Sequence, residues 1–260
     1  MSANAKNPRP LIRACVDRVL SASDEEKAQQ LAAEANPRNE IERTGLDPAT
    51  GEAIAIGFEY QKCWAPGTEL HIRFLDGLPA VQEKVKQVAL EWTQYANVSF
   101  IFDDDEDAQI RISFQPGGSW SYVGLDAFLA ALDEPTMNLG WLGPNTPDDE
   151  YRRVVLHEFG HALGAIHEHQ SPSGGIPWDR DKVMAFYKGY PNFWSKADIE
   201  FNVLDRYAED QVRASAFDPL SIMLYPVPGE LTKGGFEIPW SNKELSKLDK
   251  EWVALMYPRP

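Results

Sequence analysis

The sequence predicts a mixed domain, α/β or α+β, and three observations carry that reading. Strand-type alternation is confined to the first half of the chain. A helix-period apolar stripe follows the first strand. Beyond residue 148, helical segments are separated by stretches rich in Pro, Gly and aromatic residues. Strands first and helices afterwards is the pattern of helices packed on a sheet. A chain of 260 residues can bury a sizeable core without staples, as one large domain or as a domain with an extension.

In chain order, residues 11–35 read as helical, with Ser23 and Glu26 at capping-box spacing ahead of the alanine-rich KAQQLAAEA run. Residues 36–60 carry Pro37, Gly45, Pro48, Gly51 and Gly57 and read as a connector. This divides the chain into an N-terminal extension, 1–61, acting as a pro-segment or as accessory helices, and a main domain, 62–260. Leu70, Ile72 and Phe74 alternate with His71 and Arg73, a period-2 strand. Val81, Val85, Val88, Ala89, Trp92 and Ala96 then recur at helical spacing. Val98–Phe102 and Gln109–Phe114 read as two further strands. The acidic run Asp103–Asp107 between them lacks the spaced ligands and central Gly of a calcium loop, so a solvated turn is the reading preferred. PGGSWSYVG and TMNLGWLG are strand candidates, Asp148 opens a helix running through RRVVLHEFGHALG, and shorter helices are expected at 179–188 and 243–256.

Composition narrows the partners. Hydrophobic residues make up 43% and charged residues 25%, a globular balance. A net charge of −15 repels phosphate backbones and anionic bilayers, so neither nucleic acid nor a membrane surface is an expected partner. No stretch approaches the ~20 apolar residues of a membrane span, and the N-terminus lacks the apolar core of a secretory signal. The compartment is left open between the cytoplasm and export by a route independent of such a signal. Cys15 and Cys63 are compatible with one disulfide or with two thiols in a reducing compartment.

Chemistry concentrates in HEFGHALGAIH. His157 and His161, at i and i+4, share one face of a helix and can reach a single ion at about 2.0–2.1 Å, the usual Zn–N distance. Glu158 is offset by roughly 100° and points to a water beside the metal rather than to the metal, which suits a general base. Gly164 tolerates the positive φ at which a helix stops and the chain turns, and that turn returns His167 to the same ion. Three neutral nitrogens leave a fourth position for water, the arrangement of one catalytic zinc ion rather than a structural one. A chance HExxH in a helix is the bland alternative, and Gly164 and His167 at their offsets weigh against it.

The complete pattern H-E-x-x-H-x-x-G-x-x-H is the metzincin signature, which calls for a methionine in a tight turn beneath the metal. Met223, within Ser221-Ile222-Met223-Leu224-Tyr225, is the candidate among five methionines. Within that superfamily the chain resembles the astacin metallopeptidases. Their zinc motif continues with Glu, here Glu168. Their Met-turn, Ser-x-Met-His-Tyr, is matched by Ser221, Met223 and Tyr225. Gly118-Ser119-Trp120-Ser121-Tyr122-Val123-Gly124 is similar to their edge strand, and LSKLDKEWVALMYP to their terminal helix and tail. The resemblance covers roughly residues 62–258.

It implies a metzincin-type α+β fold: a twisted sheet and long active-site helix in the N-terminal half, an irregular C-terminal half. It implies a zinc endopeptidase acting on polypeptides. His157, His161 and His167 would be the ligands, Glu158 the base and Tyr225 a further ligand at rest that swings to the oxyanion. Trp120, Ser121 and Tyr122 would hold the substrate backbone as an added strand. Glu168 would pair with a processed N-terminus, or serve simply as a helix-end carboxylate in a hydrogen-bond network. The chain departs from the pattern at Ser119, where the family has a disulfide cysteine, and at Leu224, where it has His. The family's pro-segment aspartate motif is not recognisable in residues 1–60. An inhibitory extension in which Cys15 or Cys63 lends a thiolate to zinc stands against a structural cysteine or a simple pair. A non-catalytic, peptide-binding zinc module is the rival from another class, and an enzyme stored inactive until its extension is cut is a third.

Overall fold

The computed structural model describes residues 15, 20, 22–36, 39, 62–190, 192–206, 217–239 and 242–260. Helix α1 (Ala22–Ala35) belongs to the extension and buries Ala28 and Ala32. It starts one residue before Ser23, so Ser23 lies in the first turn rather than at the N-cap. Cys15 and Leu20 are not helical, which shortens the helix expected over 11–35. The carbonyl of Cys15 accepts from the Tyr225 hydroxyl at 2.6 Å, a tertiary bond taken where a helix would supply a backbone amide. The connector, apart from Asn36 and Asn39, lies outside the described residues.

The main domain opens with β1 (Glu69–Phe74), whose alternation buries Leu70 and Ile72 completely. Pro79 then sits at the start of α2 (Pro79–Ala89), where its missing N–H costs nothing. This helix presents Val81, Val85 and Ala89 to the core, and the stripe continues through Trp92 and Ala96 after the regular helix ends. Strands β2 (Ser99–Phe102), β3 (Ile110–Ser113), β4 (Ser119–Ser121) and β5 (Met137–Leu139) complete a five-stranded sheet in the order β2-β1-β3-β5-β4. All neighbours are parallel except β4, which runs antiparallel to β5 at the edge. All four residues of β3 are buried, as expected of a strand covered on both faces. Arg111 is tolerated there because its guanidinium donates to the carbonyls of Ala108, Ala130, Ala131 and Glu134.

Helix α3 (Asp148–Ala162) packs against the sheet and α2. Three acidic residues in its first turn suit the positive end of the helix dipole, and Val154, Val155, Leu156 and Phe159 are buried. Phe159 meets Phe100 at a ring separation of 5.3 Å, and the Trp92 indole donates to the Leu156 carbonyl at 2.9 Å. The second half is irregular. It contains α4 (Arg180–Tyr187), capped by Asp179, then α5 (Lys196–Ile199) running into a π-turn over Glu200–Leu204, and α6 (Lys247–Met256). Val183, Tyr187, Ile199, Val203 and Leu231 form its own small core. The tail returns to the first half, where Tyr257 donates its hydroxyl to the Leu163 carbonyl at 2.7 Å and receives the Trp64 amide. No described helix is long and apolar enough to cross a membrane.

Candidate metal centre

Helix α3 places His157 and His161 one turn apart, with their Nε2 atoms 3.1 Å from each other. The helix then stops in a Schellman arrangement: Gly164 N–H donates to the His161 carbonyl and Ala165 N–H to that of Gly160. Gly164 has φ +97°, the left-handed conformation the sequence requires of it. The chain returns at once, and His167 Nε2 lies 3.1 Å from His161 Nε2 and 3.2 Å from His157 Nε2.

The other ring nitrogens decide what that triangle can hold. His157 Nδ1 lies 2.8 Å from the Ile222 carbonyl, His161 Nδ1 2.8 Å from the Ala165 carbonyl and His167 Nδ1 3.2 Å from Gln170 Oε1. These oxygens only accept, so each Nδ1 carries the proton and each Nε2 turns a lone pair inward. Burial, with His161 and His167 adding to it, holds His157 well below the usual imidazole range, so it stays neutral. Three converging lone pairs repel unless a cation lies between them. Tetrahedral zinc with Zn–N of about 2.0–2.1 Å sets its nitrogens ~3.3 Å apart, so the donor set fits that ion. The outer acceptors are the supporting shell such ligands normally have.

The segment Ser221–Tyr225, where the sequence expects the Met-turn, packs against α3 beside the histidines. Met223 is buried, its amide donates to Ser221 Oγ, and its carbonyl accepts from Glu168 N–H. Its sulfur packs on Gly160, where a Cβ would lie only 2.4 Å from Sδ. Leu224, the departure from the family pattern, is buried with Ile176, Val227 and Ile238, so an apolar cluster takes the side chain there. Asp249 clamps the turn from α6: it accepts from Ser221 Oγ, Ile222 N–H and Ser246 N–H at 2.8–2.9 Å. Sequence reasoning named neither Gly160 nor Asp249. Gly at the residue before the second His was the available signal for the first. For Asp249 there was only the Ser-x-x-Asp capping spacing, which says nothing about the turn.

Glu158 is 1% exposed and faces the same space. The Tyr225 hydroxyl lies 2.6 Å from His167 Nε2, within reach of an ion held by the three rings. Cys15 enters from the extension. Its Sγ lies 3.1 Å from Glu158 Oε2, and the metal-binding atoms of Cys15, His157, His161 and His167 all lie within 4.8 Å of one another. Cys63 is buried elsewhere, with its sulfur 4.0 Å from the Leu163 carbonyl, and the two cysteines form no disulfide. Glu168 accepts the Asp218 amide at 2.8 Å. Burial pushes its carboxyl up to about 8, with Asp249 and Asp218 reinforcing the rise and the Asp218 amide opposing it.

Strand β4, at the edge of the sheet, lies against α3. Tyr122 N–H donates to Thr136 and Gly140 N–H to Gly118, so the even-numbered residues spend their backbone groups on β5. By alternation, the backbone of Ser119 and Ser121 faces the outer edge. Of the three residues expected to hold a substrate strand, Ser121 is buried and points its main chain away from β5. Trp120 and Tyr122 offer side chains, their rings edge to face at 6.1 Å. Trp120 also packs against the cluster that contains Cys15 and Tyr225.

A family profile described as "Astacin", a peptidase family, matches residues 59–230. One structure of myroilysin aligns with 78% of this chain and 99% of its own at 45% identity and a TM-score of 0.76. A crystal structure of myroilysin aligns with 95% of this chain and 100% of its own at 37% identity and a TM-score of 0.61. Tolloid-like protein 1 of Homo sapiens is 29% identical over 103 residues, 40% of this chain and 9% of that protein. The chain spans between 9% and 20% of the length of the curated relatives it matches.

Proposed function

The chain belongs to the astacin family of metallopeptidases, and from that premise we propose that it is a zinc-dependent endopeptidase that hydrolyses internal peptide bonds of polypeptides, with Glu158 as general base. The observation that carries the proposal is the triangle of three Nε2 lone pairs, each fixed by an acceptor on its Nδ1, with a buried carboxylate beside it. A zinc ion held by His157, His161 and His167 would supply Lewis acidity, making a water acidic and the scissile carbonyl electrophilic.

The chain's own residues do the rest. Glu158 takes the proton of the attacking water on a carboxylate oxygen and delivers it to the leaving amine, a carboxylate doing base and acid work in turn. The Tyr225 hydroxyl, at the rim of the triangle, donates a hydrogen bond to the carbonyl oxygen as charge gathers on it. The outer edge of β4 accepts an extended substrate as an added antiparallel strand through the main chain of Ser119 and Ser121. Backbone pairing explains affinity for polypeptides in general and leaves side-chain preference to the walls around Trp120 and Tyr122.

The test is Glu158→Gln. It keeps the volume and removes the basic oxygen, so stoichiometric zinc should be retained while hydrolysis of a peptide library falls by about 10²–10⁴-fold. Undiminished hydrolysis would remove Glu158 from the role. Tyr225→Phe should lower kcat more than it raises KM, and an unchanged kcat would take the phenol out of the chemistry.

A further inference from the structure

We propose that Gln170 is a positioning residue for the third histidine of the site, and that the π-turn over Glu200–Leu204 orients it through its side-chain amide. This rests on the zinc peptidase reading above and adds the means by which one ligand is held. Gln170 lies one turn past His167, at the end of the short 3₁₀ segment Glu168–Gln170, and its amide N–H donates to the His167 carbonyl at 3.0 Å. It is 2% exposed, and a glutamine is rarely buried so fully unless its side-chain amide is paired. Here both ends are paired: Oε1 lies 3.2 Å from His167 Nδ1, and Nε2 donates to the Phe201 carbonyl.

The π-turn decides which end of the amide meets the ring. The two ends of a glutamine amide have nearly the same shape, so Gln170 by itself could present either its oxygen or its NH₂ group to His167. The Phe201 carbonyl only accepts, which draws the NH₂ group to itself and leaves the oxygen for the imidazole. That carbonyl is available because of the turn. In a regular α-helix it would accept the amide of Asp205, four residues on. The Asp205 amide donates instead to the Glu200 carbonyl at 2.8 Å, the five-residue spacing of a π-turn, and the Phe201 carbonyl takes Gln170. His167 is thereby held with its proton on Nδ1 and its lone pair on Nε2, the atom that meets His157 and His161.

The next carbonyl of the same turn provides an internal contrast. The Asn202 carbonyl lies 2.8 Å from His169 Nε2, and since it too only accepts, His169 carries its proton on Nε2, the opposite tautomer to the three ligands. Its ring stacks on His167 at 5.2 Å and lies 5.1 Å from that of Tyr225. Two histidines two positions apart are thus sorted by two successive carbonyls. One is turned into a ligand through Gln170, and the other has its Nε2 spent on the backbone. The turn is itself braced, because Asn202 Nδ2 donates to the Asp198 carbonyl at 2.9 Å and a Ser195–Asp198 capping box starts the helix that leads into it.

The test uses the full chain with Gln170→Leu, which removes the acceptor, and Gln170→Glu, which restores one. Zinc affinity measured by chelator competition should fall about 10–100-fold in Gln170→Leu, the usual cost of losing the outer partner of a ligating histidine. Gln170→Glu should return it to within about threefold of wild type, because a carboxylate oxygen still accepts from Nδ1. In mildly alkaline buffer, nitrogen-15 spectra of the metal-free chain should place the His167 proton on Nδ1 in wild type and divide it between the two nitrogens in Gln170→Leu. In that variant the Phe201 carbonyl-carbon resonance should also move, having lost its donor. Zinc bound as tightly by Gln170→Leu as by wild type, or as weakly by Gln170→Glu as by Gln170→Leu, would overturn the positioning role. An unmoved Phe201 carbonyl would overturn the part played by the π-turn. The wild-type spectrum needs no variant, so a His167 proton found on Nε2 would overturn the proposal even if neither variant folds. A wild-type chain that takes up no zinc would instead overturn the zinc peptidase reading, while the tautomer, measured without metal, still judges Gln170.

Discussion

Gly160→Ala tests the packing that seats the Met-turn under the metal helix. In an ordinary helix interior this change gains up to ~1 kcal/mol, because alanine loses less backbone entropy than glycine. Here the added Cβ would meet Met223 Sδ at 2.4 Å, and Met223 Cε and Trp92 Cζ2 at 3.3 Å. Favourable contact begins near ~3.5 Å, so the sulfur has to withdraw by about 1 Å. It has little room to do so. The Met223 backbone is held at both ends by Ser221 Oγ and Glu168 N–H, and the Trp92 indole is pinned to the Leu156 carbonyl. With the sulfur blocked, overpacking falls in the upper part of its usual range, about 2–3 kcal/mol, so that after the propensity gain a net loss of about 1–2 kcal/mol is left. For a domain of this size that is a Tm lower by about 2–8 °C in calorimetry of the zinc-saturated protein. Met223→Ala supplies the second arm of a double-mutant cycle. With the sulfur gone, the same Gly160→Ala change should be neutral or stabilising, a favourable coupling of at least ~1 kcal/mol. A Gly160→Ala protein as stable as wild type would mean that Met223 does not rest on this glycine.

Two other perturbations follow from groups outside the reacting triad. Asp249→Ala strands the buried Ile222 amide and removes the Asp249 half of the α6 capping box, and should cost about 2–4 kcal/mol in chemical denaturation. Because His157 leans on the Ile222 carbonyl, zinc affinity measured by chelator competition should fall too, and an unchanged affinity would sever that link. On β1, His71 is raised above 6.5 chiefly by its hydrogen bond to Asp103, with the charges of Asp103 and Asp105 adding to it. The sign follows from the raised value: the pair's contribution is whole below 6.5 and fades as pH rises through the folded value. Asp103 is lowered by the same bond, so its contribution is lost as pH falls through its own folded value. An NMR titration should show the His71 midpoint dropping in Asp103→Asn, and a midpoint that stays put would dissolve the pair.

What the sequence disclosed depended on how far apart the cooperating residues lie. His157, His161 and Gly164 were legible because helical periodicity and the need for positive φ act within a few residues. The same local logic exposed the strand carrying Leu70 and Ile72 and the helices at 180–187 and 247–256. Ser23 falls inside α1, which spacing alone could not foresee, since serines at 21 and 23 both stand three residues before an acid. The π-turn at Glu200–Leu204 has no periodic signal shorter than its own length. The choice between Cys15 and Cys63 was out of reach for a different reason. Cys15 meets Glu158 across 143 positions, and Cys63 lies nearer to the histidines along the chain, yet it points into the core.

The ligand triangle shows the division most sharply. Its identities come from local spacing, but its electronic state does not. The acceptor that sets the tautomer of His161 is four residues away, whereas the one that sets His157 lies 65 residues on and is held there by Asp249. A histidine triplet with the right spacing and the wrong Nδ1 partners would present N–H groups to the centre and repel a cation. The spacing therefore nominates the metal site, and the Met-turn, docked from the other half of the domain, makes it competent. This explains why the motif and the turn occur together: the second half of the domain contributes a hydrogen-bond acceptor to the metal centre, even though no histidine of the triangle lies beyond residue 167.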